Sequence, residues 1–207
     1  MSEQGNILFC GVGGQGILLA SEVTAYSLLA AGMDVRKSEV HGMAQRGGSV
    51  TAHLRYGDKV YSPLISPGEA DIVVAFEMME VVRYLPYMHS DSKIIVNTHK
   101  ILPPIIATGK MEYPENVLDE LTSRDIHLQA FDAFEIASRV GEVRAVNIVM
   151  VGVLSTYLPI DEQVYVDVMN ERIPERFRDV NIRAFQEGRK LAAQTGLGDR
   201  NDLERGI

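Results

Sequence analysis

Apolar positions in this chain fall into short uninterrupted runs that lead into glycine-rich turns and then into longer stretches of helical period. Asn6 to Cys10 is such a run; it enters GVGGQG, Gly11 to Gly16, and beyond it Ile17 to Ala31 carries Glu22 as its only charge before Gly32. That order predicts strand, tight turn and buried helix. Asp34 to Val40 reads as extended, His41 to Gly48 as a polar loop with glycines, and Ser49 to Tyr56 alternates as a strand does. Gly57-Asp58 has the chemistry of a two-residue turn and predicts a hairpin returning through Lys59 to Tyr61. An antiparallel hairpin within a parallel βα series predicts a mixed sheet.

Ile72 to Phe76 suits a strand covered on both faces, followed by a helix from about Glu77 to Leu85 that Pro86 stops. Ile94 to Val96 is a further buried strand, Pro103-Pro104 and Pro114 punctuate an irregular stretch, and Glu115 to Arg124 reads as a helix. Ile126 to Phe131 is a strand, with Asp132 as N-cap for Phe134 to Val140. A mostly apolar helix over Ala145 to Leu158, one capped by Asp161 and running to about Arg172, and an amphipathic one over Val180 to Thr195 complete the pattern. The expected fold is a three-layer α/β/α Rossmann-like domain with a mixed, mainly parallel sheet. Residues 1–195 are expected to form this single domain, in which helices 161–195 either cover the chain's own sheet or serve as an interaction arm, and 196–207 a flexible tail. No internal repeat or linker marks a second domain.

Composition narrows the function. A chain of 207 residues that is 46% apolar can bury roughly 70% of its unfolded surface and needs no staples. Twenty Lys and Arg against 28 Asp and Glu give a net charge of −8, with no basic run, which excludes sequence-independent nucleic-acid binding and attachment to anionic membranes. Cys10 is the only cysteine, so an internal disulfide, a CxxC pair and the four-thiolate cage of an iron–sulfur cluster are all excluded. If the protein handles electrons, a partner holds them. The first residues lack a basic region and a signal-peptide core, and Ala145 to Ile160 is too short and too polar to span a bilayer, so a cytoplasmic protein is expected.

GVGGQG satisfies G-x-G-x-x-G between a strand and a helix, where glycines let backbone N–H groups approach an anion at the positive helix end. Gly11, Gly13, Gly14, Gln15 and Gly16 are therefore candidate cofactor contacts. Ile17 and Leu18 stand where a Walker A loop needs Lys and Ser or Thr, so hydrolysis of ATP or GTP is excluded. Glu39, 23 residues after Gly16, stands near where a dinucleotide site carries its ribose acid. A tight turn without a ligand is the alternative reading of the glycines. In EVHGMAQRGGSV, Arg46, Gly47 and Gly48 form a loop suited to phosphate or carboxylate; the alternative is a glycine-rich connection with Arg46 in an ion pair. His41 and Glu39 are the candidates for proton transfer, though His41 is equally a hydrogen-bonding surface residue. Asn97-Thr98-His99 lies at the carboxyl end of a strand, where open α/β sheets gather ligand loops. His53, His89, His99 and His127 show no metal-ligand spacing, so no metal site is expected. Met33, Met43, Met78, Met79 and Met88 read as core filling or as a contact surface.

GVGGQG, EVHGMAQRGGSVTAHLR, ADIVVAFE with Glu80 a short step later, VNTHKILPP and AVNIVMVGVL, in this order, resemble the gamma subunit or domain of the 2-oxoacid:ferredoxin oxidoreductases. HGMAQRGG is most similar to the small (beta) subunits of indolepyruvate oxidoreductases. The likeness runs from about Asn6 to Leu191. It implies a non-autonomous subunit of an enzyme that turns a 2-oxo acid and coenzyme A into acyl-CoA and carbon dioxide while reducing ferredoxin. It places thiamine diphosphate, magnesium and 4Fe-4S clusters in a larger partner. It associates coenzyme A with the loops named above and adds Asn147, within AVNIVMVGVL, to the candidate contacts. Two other classes stay open: a self-contained NAD- or FAD-binding oxidoreductase, and an interaction module.

Overall fold

A computed structural model describes residues 4–41, 48–100, 116–122 and 126–194. The first apolar run becomes β1 (Gly5–Val12), a central strand whose Ile7 and Phe9 join one buried cluster and whose Leu8 and Cys10 join another. All four are fully buried, as an unbroken apolar run requires. The other strands are β2 (Asp34–His41), β3 (Ser49–Gly57), β4 (Ala70–Ala75), β5 (Met88–Asn97) and β6 (His127–Phe131). The sheet order is β2-β3-β1-β4-β5-β6. The pairings from β1 through β4 and β5 to β6 are parallel, while β3 lies antiparallel between β2 and β1.

The mixed sheet is therefore present, but the hairpin expected at Gly57-Asp58 is not. Both edges of β3 are already filled by β1 and β2, so no ladder position remains for residues 59–61. Instead the Val60 N–H donates to Asp34 Oδ2 at 3.0 Å, which turns the chain aside past the start of β2.

Helices cover both faces, giving three layers. On one side α1 (Ile17–Ala30), α4 (Ala133–Val140), α5 (Val146–Ser155), α6 (Glu162–Arg172) and α7 (Glu175–Gln194) bury Ile7, Phe9, Ile72, Val74 and Ile95. On the other, α2 (Met78–Tyr84) and α3 (Val117–Thr122) bury Leu8, Cys10, Val73 and Ile94. Caps set several of these starts: the Glu77 carboxylate accepts from Met79 N at 2.7 Å and Asp132 from Glu135 N at 2.9 Å. Asp161 holds the N-cap position of α6 without a side-chain hydrogen bond. The last helix begins at Glu175, ahead of the expected Val180, because Pro174 suits a helix start and Phe177 N bonds its carbonyl at 2.8 Å. The charged sequence around Phe177 hides that first turn from periodicity.

Tyr165 and Met169 of α6 and Ala184 and Phe185 of α7 lie in the same core as Ile7 and Phe9. The α5 and α7 backbones meet through Gly152 and Gly188. No helix among the described residues is long and apolar enough to cross a membrane.

His53 on β3 couples the core to pH. It is 7% exposed, its Nδ1 accepts from Ile65 N at 3.1 Å, and its ring meets Tyr87 edge-on. Burial lowers its pKa, so the folded state binds a proton less readily than the unfolded chain. The corresponding stability is present above the unfolded value of about 6.5 and is lost as pH falls through the lower folded-state value. The melting temperature should drop between about pH 7 and pH 5, and His53→Gln, which keeps an acceptor for Ile65, should flatten that drop. An equal drop in both proteins would remove His53 as its source.

Candidate functional site

The carboxyl ends of β1, β4 and β5 gather the residues singled out above, and the chain's own hydrogen bonds engage most of them. Gln15 bridges the turn: its Oε1 accepts from Val12 N at 2.7 Å and its Nε2 donates to Phe76 O at 2.7 Å. Gly11 is glycine because a Cβ there would lie 2.6 Å from Gln15 Oε1 and 2.8 Å from Phe76 Cβ. Gly13 N donates to Gly48 O at 2.8 Å, which pins the glycine turn to the exit of the Glu39 to Gly48 loop. Gly14 and Gly16 have φ of 104° and 76°, and Gly16 is the left-handed N-cap of α1. No side chain caps that helix and no acid lies in its first turn, which keeps its positive end suited to an anion.

Two asparagines from distant elements close the arrangement. Asn97, 1% exposed, donates to Phe76 O at 3.3 Å and accepts from Ala133 N at 3.0 Å and His99 N at 3.2 Å. Phe76 O is thus shared by Gln15 and Asn97, and β4, β5 and α4 are tied at one point. Asn147 donates from Nδ2 to Gly16 O at 3.2 Å, and its Oδ1 accepts from Ile148 N at 3.0 Å. Beside Asn147 opens a cavity of about 260 Å³ lined by Leu19, Ala145, Ile173, Pro174 and Phe177. Glycine turn, asparagine and apolar cavity are contiguous.

Glu39 is not placed for a ribose. In a dinucleotide fold the acid ends a strand adjacent to the first, whereas here β3 intervenes, putting β2 two strand spacings, roughly 10 Å, from β1. Lys37 Nζ pairs with Glu39 Oε1 at 2.5 Å and lies 3.8 Å from Glu22. His41 ends β2 opposite Val50, which faces Gly11 across β3, so both stems of the loop reach the glycine-turn end of the sheet. The His41 side chain, Met43, Arg46 and Gly47 lie outside the described residues.

A polar cluster that the motifs did not announce lies beneath the loop's exit. Ser49 Oγ donates to Glu80 Oε2 at 2.6 Å, and Tyr84 Oη bonds Thr51 Oγ1, with Ser49 Oγ 3.5 Å away. Glu80 is buried and Arg83 Nε lies 3.4 Å from it. The legible signal was Glu80, one helical turn after the capping Glu77 and set among apolar residues. Burial, reinforced by the Glu80 and Glu77 carboxylates, pushes the Cys10 thiol up, so it remains protonated and unreactive. The methionines divide simply: Met78 is buried, and Met33 and Met88 pack partly buried against the two cores.

The model of the pyruvate ferredoxin/flavodoxin oxidoreductase family matches residues 6–191, nearly the whole chain. The chain belongs to this family. Within its reach, the indolepyruvate oxidoreductase subunit IorB of Methanothermobacter thermautotrophicus is 38% identical over 194 residues, covering 92% of this chain and 98% of that one. Two solved structures share the fold. The gamma subunit of a keto/oxoacid ferredoxin oxidoreductase from Geobacter sulfurreducens has a TM-score of 0.69 at 22% identity, covering 92% of this chain and 99% of that one. The 2-oxoglutarate:ferredoxin oxidoreductase of Magnetococcus marinus, with 2-oxoglutarate, coenzyme A and succinyl-CoA bound, has a TM-score of 0.72 at 19% identity. It covers 93% of this chain, which spans 31% of that longer one.

The residues described here do not fit an iron–sulfur cluster, which is held by cysteine thiolates. The single thiol is fully buried, and among the described residues no group of three or more His, Cys, Asp or Glu could hold a metal ion.

Proposed function

We propose that this chain is the small subunit of a thiamine-dependent 2-oxoacid:ferredoxin oxidoreductase acting on indolepyruvate or another arylpyruvate, and that it is inactive alone. A larger cytoplasmic partner holds thiamine diphosphate, magnesium and the 4Fe-4S clusters. The complex converts a 2-oxo acid and coenzyme A to acyl-CoA and carbon dioxide, and the two electrons released pass to ferredoxin. The observation that carries this reading is the match along 98% of an indolepyruvate oxidoreductase subunit by a chain whose one cysteine is buried. Thiamine diphosphate supplies the carbanion chemistry when bound to the partner. This chain's part is to bind and orient.

The uncapped end of α1, the apolar cavity beside Asn147 and the loop that carries Arg46 support a contact with coenzyme A. The first two suit a phosphate and an apolar segment, and a guanidinium offers a second phosphate contact. Gln15, Asn97 and Asn147 hold that surface in shape, while Glu39 belongs to a structural ion pair. The dinucleotide reading loses its support with Glu39.

Arg46→Ala in the assembled complex tests this. Loss of one charge-assisted contact, about 1.5–3 kcal/mol, should raise KM for coenzyme A roughly tenfold to a hundredfold, with a smaller change in kcat. An unchanged KM would remove Arg46 from the coenzyme site. A rise in KM for the 2-oxo acid alone would move it to the substrate carboxylate.

A further inference from the structure

We propose that the outer edge of β2 is a self-association surface, on which a second copy of this chain adds its own β2 antiparallel. Among the described residues β2 is the terminal strand of the sheet, and β3 fills its inner side. Its sequence, DVRKSEVH, contains neither proline nor glycine, and among the described residues no backbone hydrogen bond outside the ladders involves residues 34–41. Such an edge presents a row of main-chain donors and acceptors that a further strand can use.

The side chains choose the occupant. Two identical antiparallel strands related by a two-fold axis keep their faces matched only when the register centres on one residue. Centring on Arg36, Lys37 or Glu39 sets that charge against its own copy, which destabilises a pair of strands. Centring on Ser38 instead places Lys37 opposite Glu39 of the second copy, and Glu39 opposite Lys37, with serine against serine on the axis.

Within one chain Lys37 and Glu39 already pair on the face toward α1. The second copy closes these four groups into a ring of alternating charge. On the other face Arg36 comes opposite Val40, a valine 56% exposed in the single chain, and its aliphatic stem covers that surface. The exposed contacts of Arg36 to Asp34 and to Val35 O exchange at little cost. An edge of this length is small against the roughly 800 Å² per partner of a standard interface, so the expected dimer dissociates on dilution.

Sedimentation velocity of the full chain across a wide concentration series tests this, with circular dichroism to verify folding of each variant. The wild type should show a monomer–dimer equilibrium. Lys37→Glu and Glu39→Lys should each weaken it about tenfold or more, since two attractive pairs become repulsive. The double variant Lys37→Glu/Glu39→Lys should restore it. Ser38→Cys should form a disulfide-linked dimer under mild oxidation, and Cys10, fully buried, offers no competing thiol. A chain that stays monomeric throughout, a dimer indifferent to the single reversals, or a Ser38→Cys chain that does not crosslink would each overturn the proposal.

Discussion

Gly188→Ala is expected to destabilise the chain by about 3 kcal/mol, the upper end of what overpacking costs and a large part of the 5–15 kcal/mol that holds a domain together. A Cβ there would lie 2.2 Å from Val149 O, and one on Gly152 would lie 2.2 Å from Phe185 O. Both obstacles are backbone carbonyls of the opposing helix, which cannot turn aside as a side chain can. Replacing an exposed helical glycine by alanine ordinarily gains up to about 1 kcal/mol, so helix propensity alone predicts the opposite sign. The clash decides the outcome, because relieving it means separating α5 from α7 along a fully buried seam. Gly32→Ala is the control: with φ at 87° and nothing within 4 Å of a Cβ, it meets only backbone strain of about 1–2 kcal/mol. Urea unfolding midpoints should rank wild type, Gly32→Ala and Gly188→Ala in falling order. A Gly188→Ala midpoint at or above that of Gly32→Ala would contradict the close backbone contact.

The second large effect is expected at the glycine turn. Gly16→Ala combines the strain of a left-handed φ of 76° with a Cβ placed 2.6 Å from Asn147 Nδ2 and 2.9 Å from its Cγ. It thereby displaces the side chain that bonds Gly16 O, for a total of roughly 2–4 kcal/mol. Gly14→Ala, at φ 104° with open space around the new methyl, should cost only the strain. Adding Asn147→Ala to Gly16→Ala should therefore cost less than the sum of the two single changes, because the clash is counted once. In the assembled enzyme, Gly16→Ala should lower turnover more than Gly14→Ala does. Equal losses from the two single variants, or strict additivity in the double, would show that Asn147 does not press on Gly16.

The parts legible in the sequence were those governed by neighbours along the chain. β1, the glycine turn and α1 follow from an apolar run, a glycine cluster and a long stretch with one charge. The cap at Asp132 acts over three residues. Where distant residues decide, the reading failed: Asp34 holds Val60 across 26 positions and removes the hairpin that Gly57-Asp58 suggested. At the site, the glycines, Gln15, Asn97 and Asn147, singled out from separate stretches of sequence, lie close together in the fold. Their individual work was hidden, because Gln15 and Asn97 meet on Phe76 O and Asn147 reaches Gly16 across 131 positions. The tie from Glu80 to Ser49 across 31 positions was invisible for the same reason. Spacing reveals which residues share a turn, and only the fold reveals which share an atom.

The central proposal, that this chain is the small subunit of a 2-oxoacid oxidoreductase, is tested most directly by anaerobic co-purification from its native source. The purified material is then assayed for reduction of a low-potential acceptor that depends on both indolepyruvate and coenzyme A. The account predicts a larger chain carrying thiamine diphosphate and iron–sulfur clusters, activity in the pair, and none in this chain alone. A chain that emerges alone, colourless and unaffected in its melting temperature by coenzyme A would contradict it.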